Sequence, residues 1–518
     1  MTSTSVIGTT KPLSSPHKKS YGQILKSSAV IGGSSAVTLV LGMVRAKAMA
    51  LLLGTGGAGL WGLSWSITEL ARGIAGMGIN GSGVRQIAAA VGSGDEQQLA
   101  RTVVTLRRVS RVLGVVGALM LCALSVPVGR LSFDDDKHTG AVALLSLTVL
   151  FSIVSQGQNA LLQGVRRIGD LAKDNILGAI FSTLFSIPIV YYFRERGIVP
   201  ALVCISFFGV LTSWWFARRV KVEPVKLTAA ETYGEASALL KLGLVFMVSG
   251  LMTLGVSYLV NIILIHRMDK HAVGLYQAAW LIGGYFAGFI LQAMGTDFYP
   301  RLTAVAHDNA KCNQLVNEQS EVSLLMAGPG LIATLTFAPL AIRVLQSSEF
   351  LPAVEVLRWI SLGMLLRVLA WPMGFIMLAK NAQKVFFISE LVSNVVYLAM
   401  VWFCVGVWGV KGVGIAFAAL YALYAVAVYF IGRRLSGFRW SWETTWIAGA
   451  YTFFSVGVFA AFQFLDFYVA TAIGAVVMIA TGIYSTRKIC ALVPPERFPR
   501  RARQLLTYLR LLPAGSNV

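Results

Sequence analysis

Apolar runs of twenty or more residues recur along the chain, separated by short polar connections. Leu242–Ile265 is 24 residues long and contains no Asp, Glu, Lys, Arg or His. Similar runs open at Ala272, Val322, Leu391, Gly412, Thr444 and Phe467. About 20 residues at a rise of ~1.5 Å cross a hydrocarbon core. A buried soluble helix can imitate one such run, but not a dozen. Short alternating strands, the mark of a membrane barrel, are not part of the pattern. The fold class is therefore all-α and polytopic. Fourteen spans are predicted, at 24–53, 59–84, 110–130, 139–162, 174–193, 198–217, 240–265, 273–297, 322–346, 353–379, 385–409, 411–432, 445–465 and 467–486. The first lacks a small-residue cleavage site and is read as a retained helix rather than a signal peptide.

Composition agrees with this reading. Of 518 residues, 56% are hydrophobic and 13% charged, where a soluble domain carries about a quarter as charges. Mean hydropathy is +0.70. The five cysteines have no metal-like spacing and read as structural. The formal charge of +21 follows from where the bases sit. Arg107, Arg108, Arg111, Arg166, Arg167, Arg218, Arg219, Arg433 and Arg434 fall on alternate connections. The connection carrying Asp134, Asp135 and Asp136 lies on the opposite side. By the positive-inside rule both termini are cytoplasmic. The bases are an orientation signal and attract anionic lipid, so no nucleic-acid role follows. Those on 488–510 suit either an amphipathic surface helix or a disordered tail.

The chain echoes itself at an offset of about 215 residues. GLWGLSW at 59–65 matches GLYQAAW at 274–280, and Arg218–Arg219 matches Arg433–Arg434. That offset spans six helices, an even number of crossings, so the halves share one orientation. The expected organisation is a cytoplasmic segment (1–23), a first six-helix lobe (24–219), a linker (220–239), a second lobe (240–434), an accessory helix pair (435–486) and a basic cytoplasmic tail (487–518). Parallel repeats of this kind belong to alternating-access transporters.

Charges inside spans are the candidate chemistry. Arg45 and Lys47 lie in span 1, Glu69 and Arg72 in span 2, Arg358 and Arg367 in span 10, with Glu355 near its outer end. Each such charge at mid-bilayer costs a few kcal/mol or more and must face protein or water. Glu69 and Arg72 are one turn apart and can pair. Five bases against two acids leave a cationic surplus, which water or an anion must meet. Two readings stand: a structural ion pair that ties helices together, or a basic central cavity for an anionic ligand. Arginine matches phosphate with bidentate donors. Gln156, Gln158, Asn159, Asn261, Trp65, Trp280 and Tyr285 are candidate sugar contacts. Asp174, Asp297, Arg301 and Glu390 sit at cytoplasmic span ends, as dipole partners or gate contacts. No phosphate-binding loop, HExxH or nucleophile–base pair is present. No cofactor is expected, and energy would come from H⁺ or Na⁺ coupling, the membrane potential or the substrate gradient.

Several segments resemble the polysaccharide flippases of the multidrug/oligosaccharidyl-lipid/polysaccharide exporter superfamily, in particular the O-antigen and enterobacterial-common-antigen translocases. They are LLLGTGGAGLWGL (51–63), GMGINGSGVRQIAAAVGSGD (76–95), the stretch 161–197, GLYQAAWLIGGYFAGFILQAMGTDFYPRLT (274–303) and IMLAKNAQKVFFISELV (376–392). The likeness covers about residues 24–432. It implies two six-helix lobes in a V and location in the bacterial inner membrane. It also implies export of an undecaprenyl-pyrophosphate-linked glycan to the periplasmic leaflet. A polysaccharide polymerase and a chain-length regulator would be partners. By position, Arg45, Arg72 and Arg367 would meet the anionic head group, with Lys47 and Arg358 beside them. The extra helix pair and basic span 1 resemble the lipid II flippases, the first alternative. A multidrug exporter is the second, though it would want acidic cavity residues. A glycosyltransferase or polymerase would need a larger polar loop than the 25 or so residues available.

Overall fold

The computed structural model describes residues 16–133, 139–220, 222, 225 and 227–492. Side chains are outside the description at 16–32 and at several positions within 229–249 and 285–300. The acidic connection 134–136 and the tail beyond 492 also lie outside it. The described chain is helical nearly throughout. It begins with α1 (Pro16–Ala75), α2 (Ile79–Ser93), α3 (Glu96–Ala123), α4 (Ser125–Phe133), α5 (Thr139–Gly164), α6 (Ile168–Phe193) and α7 (Ile198–Ala217). It continues with α8 (Ala229–Arg267), α9 (Lys270–Ala304), α10 (Asn309–Thr336), α11 (Ala338–Leu345), α12 (Ala353–Ala379), α13 (Gln383–Trp408), α14 (Lys411–Ser436), α15 (Trp442–Phe464) and α16 (Phe467–Leu492). Short polar side chains set many starts: Asp95, Asp269, Asp308 and Ser441 each accept from a backbone N–H in the first turn. Thr228 and Glu231 form a reciprocal capping box on α8.

Among the described residues nine helical stretches are long and apolar enough to cross a membrane, or up to eleven if each bent pair is one span. The chain is a multi-pass membrane protein. The number differs from fourteen partly because two stretches, Gly33–Ala75 and Ile168–Ala217, each contain two of the expected spans. The bent pairs are α3 with α4, at 62°, and α10 with α11, at 79°. Pro339 begins the second of these breaks, where a ring without an N–H suits a new helix start.

Helices α1–α7 bury Leu63, Ile67, Val149, Ile153 and Leu202 in one core and Ile79, Ile87, Leu106 and Leu161 in another. Helices α9–α16 surround a larger core that includes Val273, Leu331, Leu357, Ile360, Phe417 and Ile447. Helix α8 joins both groups, with Tyr258 and Ile262 on the first and Val260 and Leu264 on the second. Helix α9 reaches the first group through α1. There Gly59 and Gly274 bring two backbones together: a Cβ at Gly59 would lie 1.8 Å from the Lys270 carbonyl oxygen, and one at Gly274 2.0 Å from that of Thr55. Small residues permit such helix approaches where lipid gives no hydrophobic drive.

Gly274→Val should therefore force α1 and α9 apart and destabilise the protein by about 1–3 kcal/mol, the usual cost of overpacking. A fall in the midpoint of thermal unfolding of the purified protein checks this.

Candidate functional site

Helix α1 bends at Gly54, which sits at φ +64° and ψ −168°. That conformation favours glycine, because a side chain there meets the backbone. A Cβ would also fall 2.7 Å from the Glu349 carboxylate. The bend separates two helical parts of α1. Arg45 before it and Trp61 and Trp65 after it then line one cavity of about 350 Å³. Gln277, Leu281, Gln346 and Phe350 complete the wall, so both helix groups contribute. Arg45 Nη1 donates to Ser182 Oγ on α6 at 3.0 Å.

A polar cluster lies at the bend, next to the cavity-lining Gly274 and Phe350. Thr55 donates twice to Glu349 Oε1, from its backbone N–H at 3.0 Å and its hydroxyl at 2.8 Å. His271 Nδ1 lies 2.8 Å from the same hydroxyl. These bonds hold the Glu349 carboxyl below the usual carboxylate range, the backbone bond contributing most. Lys47 Nζ reaches the Arg343 carbonyl oxygen at 2.7 Å, a further tie from α1, here to α11. Deeper in, Gln277 donates to Asn261 at 3.0 Å and Asn261 to Ser66 at 2.8 Å. Asn261 is fully buried, and its amide is engaged between α1 and α9 in this conformation.

The other span charges lie elsewhere. Glu69 and Arg72 form an ion pair, each side chain about a quarter exposed, with Arg72 Nε buried and unbonded. Gln156 approaches Gly76, one turn beyond Arg72. Its sequence neighbours diverge, as successive positions on a helix must. Gln158 accepts from Ser213 on α7, and Asn159 lies beside the buried Asp174 with Thr212. Arg358 is 5% exposed, pairs with Glu355 at 3.2 Å and stacks on Phe462 at 3.8 Å. It pins α12 to α15 and does not line the Arg45 cavity.

Arg367 sits among aromatics, 5.2 Å from the Trp371 ring centroid and 5.6 Å from that of Tyr421. Its buried Nε has no hydrogen-bond partner. Tyr424 donates to Glu390 at 2.8 Å, and both line a second cavity of about 700 Å³ with Trp371, Phe375 and Thr253. No ion pair among the described residues joins Arg367 to Glu390. Trp280 packs on Phe417 in the core. The side chains of Tyr285 and Asp297 lie outside the described residues. Arg301 is exposed at the end of α9. Among the described residues no group of three His, Cys, Asp or Glu is placed to hold a metal.

Residues 48–355, more than half of the chain, match the family described as polysaccharide biosynthesis protein. The chain belongs to that family. This polysaccharide biosynthesis protein is also 22% identical over 426 residues to the lipid III flippase of Escherichia coli K12, across 79% of this chain and 99% of that protein. Its fold is similar to an inward-facing multidrug resistance MATE family transporter of the MOP superfamily, with TM-score 0.66, 17% identity, and coverage of 77% and 95%. It is similar as well to the lipid II flippase MurJ in an inward closed conformation, with TM-score 0.66, 13% identity, and coverage of 89% and 99%.

Pattern alone did not single out Thr55, His271, Gln277 or Glu349. The crowding of Gly54, Gly56, Gly57 and Gly59 was the available signal, since it marks close backbone approach.

The Glu349 contact has a defined pH dependence. A carboxyl lowered in the closed form stabilises closure above its ordinary pKa, and that contribution is lost as pH falls through the lowered value. Glu349→Ala should open the contact several-fold at pH 7, consistent with screened hydrogen bonds of about 1 kcal/mol. Spin labels at the exposed positions Leu51 and Met268 should report a longer distance in the variant. The wild type should lengthen only in strong acid.

Proposed function

We propose that this protein is a lipid-linked-oligosaccharide flippase that works by alternating access. The single observation that carries the reading is the Arg45 cavity: it is shared by both helix groups, and polar contacts between them lie beside it. The lipid III flippase likeness over nearly that protein's whole length supports the substrate class. The substrate proposed is an undecaprenyl-pyrophosphate-linked glycan, moved from the cytoplasmic to the periplasmic leaflet of a bacterial inner membrane. With the positive-inside orientation, the Thr55–Glu349–His271 end is periplasmic and the conformation faces inward.

The architecture proposed is two six-helix lobes, α1–α7 and α8–α14, related by an axis along the membrane normal, with α15 and α16 as an accessory pair. Backbone geometry supports the repeat. The non-glycine residues Arg166 and Asn381 both have positive φ, at 57° and 56°, and stand 215 positions apart. Arg194 and Gly409, again 215 apart, have φ of 52° and 64°. The two bent helix pairs break at Leu124 and Phe337, close to the same offset.

In this reading Arg45 and the Glu69–Arg72 pair meet the pyrophosphate from the first lobe. Arg367, backed by Trp371 and Tyr421, does so from the second. Trp61, Trp65 and Gln277 offer faces and donors to sugar. Lys47 and Arg358 act as struts, because a carbonyl oxygen, a carboxylate and a ring already meet their charges. The Asn261–Ser66 bond, which joins the two lobes, breaks when they part.

Deleting the gene should accumulate an undecaprenyl-linked intermediate on the cytoplasmic side. Raised drug sensitivity without that accumulation would instead indicate a multidrug exporter, and accumulated lipid II a peptidoglycan-precursor flippase. Arg72→Ala and Arg367→Ala should each slow translocation about tenfold or more while membrane insertion is kept, as expected for lost charge-assisted bonds. Normal transport by both variants would remove these residues from the substrate path.

A further inference from the structure

A groove of about 800 Å³ lies between α3, α5 and α7, and the reading above gives it no role. Arg107 and Arg111 of α3 and Arg218 at the end of α7 line it, with Ser110, Gln158, Phe207, Leu211 and Trp214. Phe207, Leu211 and Trp214 on its wall are exposed, so the groove opens on the surface of the first helix group, and it shares no lining residue with the Arg45 cavity.

Three cations meet there, and no carboxylate lines the groove among the described residues. Arg107 and Arg111 are one turn apart and close enough to repel each other. Their contacts within the protein are backbone ones: Arg107 to the Ala217 carbonyl oxygen at 3.4 Å, and Arg111 to that of Arg107 at 3.1 Å. Arg218 stacks on two indoles, 3.8 Å from the Trp215 ring centroid and 4.8 Å from that of Trp214. Tryptophan is the residue that settles at head-group depth, and a basic pocket between helices there suits a phosphate. From Arg218 the wall turns apolar through Leu211 and Phe207, both exposed, over about 16 Å at 1.5 Å per residue. A cationic, indole-rimmed end joined to a long apolar wall matches a molecule with an anionic head and acyl chains.

We infer that this groove is a binding site for an anionic glycerophospholipid, its phosphate held by Arg107, Arg111 and Arg218 and its acyl chain lying against Phe207 and Leu211. The site is separate from the proposed glycan path, and it holds membrane lipid on the rim of the first helix group.

The test titrates the purified full-length protein with dioleoyl phosphatidylglycerol or dioleoyl phosphatidylcholine and counts bound lipid by native mass spectrometry. The wild type should retain one more phosphatidylglycerol than the triple variant Arg107→Gln, Arg111→Gln, Arg218→Gln, with at least tenfold weaker binding at that site in the variant. The corresponding triple Lys variant should keep the lipid. Phosphatidylcholine counts should be the same in all three. A second measurement leaves the arginines intact: dibrominated phosphatidylglycerol in vesicles should quench tryptophan fluorescence more than dibrominated phosphatidylcholine. That excess should vanish in Trp214→Phe, Trp215→Phe. Equal phosphatidylglycerol counts in the wild type and the Gln variant, or an unchanged quenching excess in the Phe variant, would overturn the proposal. Displacement of the lipid by millimolar inorganic phosphate would overturn it in favour of a simple anion site.

Discussion

The backbone approach of Gly59 to Gly274 is the contact on which the rest of the arrangement depends. Two helices from different parts of the chain meet with no side chain between them. In lipid, helices do not gain by hiding apolar surface from water, so such an approach must rest on close packing and polar bonds. It brings Thr55 within reach of Glu349 and His271, and Ser66 within reach of Asn261. It also sets the floor of the Arg45 cavity. The bend at Gly54 is its companion, because without it Arg45 and Trp65 would lie far apart on one straight helix.

The charges inside the spans follow one electrostatic rule with several outcomes. A cation within a span must be met, and the protein meets each differently. Lys47 is met by a carbonyl oxygen, Arg358 by a carboxylate and a ring, and Arg72 by Glu69. Arg367 is met by aromatic faces, with its Nε unbonded. The surplus counted along the sequence is thus spread unevenly: struts have absorbed some of it, while Arg45 and Arg367 stand beside open volume or aromatic surface. Arg358 holds α12 to α15 within one group, while Lys47 ties α1 to α11 across the two groups.

Closure at the bend is made of short polar bonds and glycine contacts, while the interiors of the groups are apolar and tightly filled. Polar bonds to water or to a partner are nearly exchangeable, whereas a packed core is not.

Hydropathy and length alone identified an all-helical, multi-pass chain, because a backbone in hydrocarbon has few ways to satisfy its hydrogen bonds. The offset near 215, read from GLWGLSW and GLYQAAW and from the paired arginines, underlies the proposed two-lobe arrangement. The Glu69–Arg72 pair was legible too, since i and i+3 share a helix face. The site was less legible. Gln156, Gln158 and Asn159 are neighbours in sequence, yet they face Gly76, Ser213 and Asp174. Arg358 and Arg367 lie on one helix, yet one is a buried strut and the other part of an aromatic cluster. Local pattern says that a charge is within a span. Which neighbour meets it depends on helix rotation and crossing, and these are decided by contacts hundreds of residues apart, such as Thr55 with Glu349. Only the tertiary structure brings those partners together, because close packing, unlike hydropathy, is a property of pairs of helices and not of one.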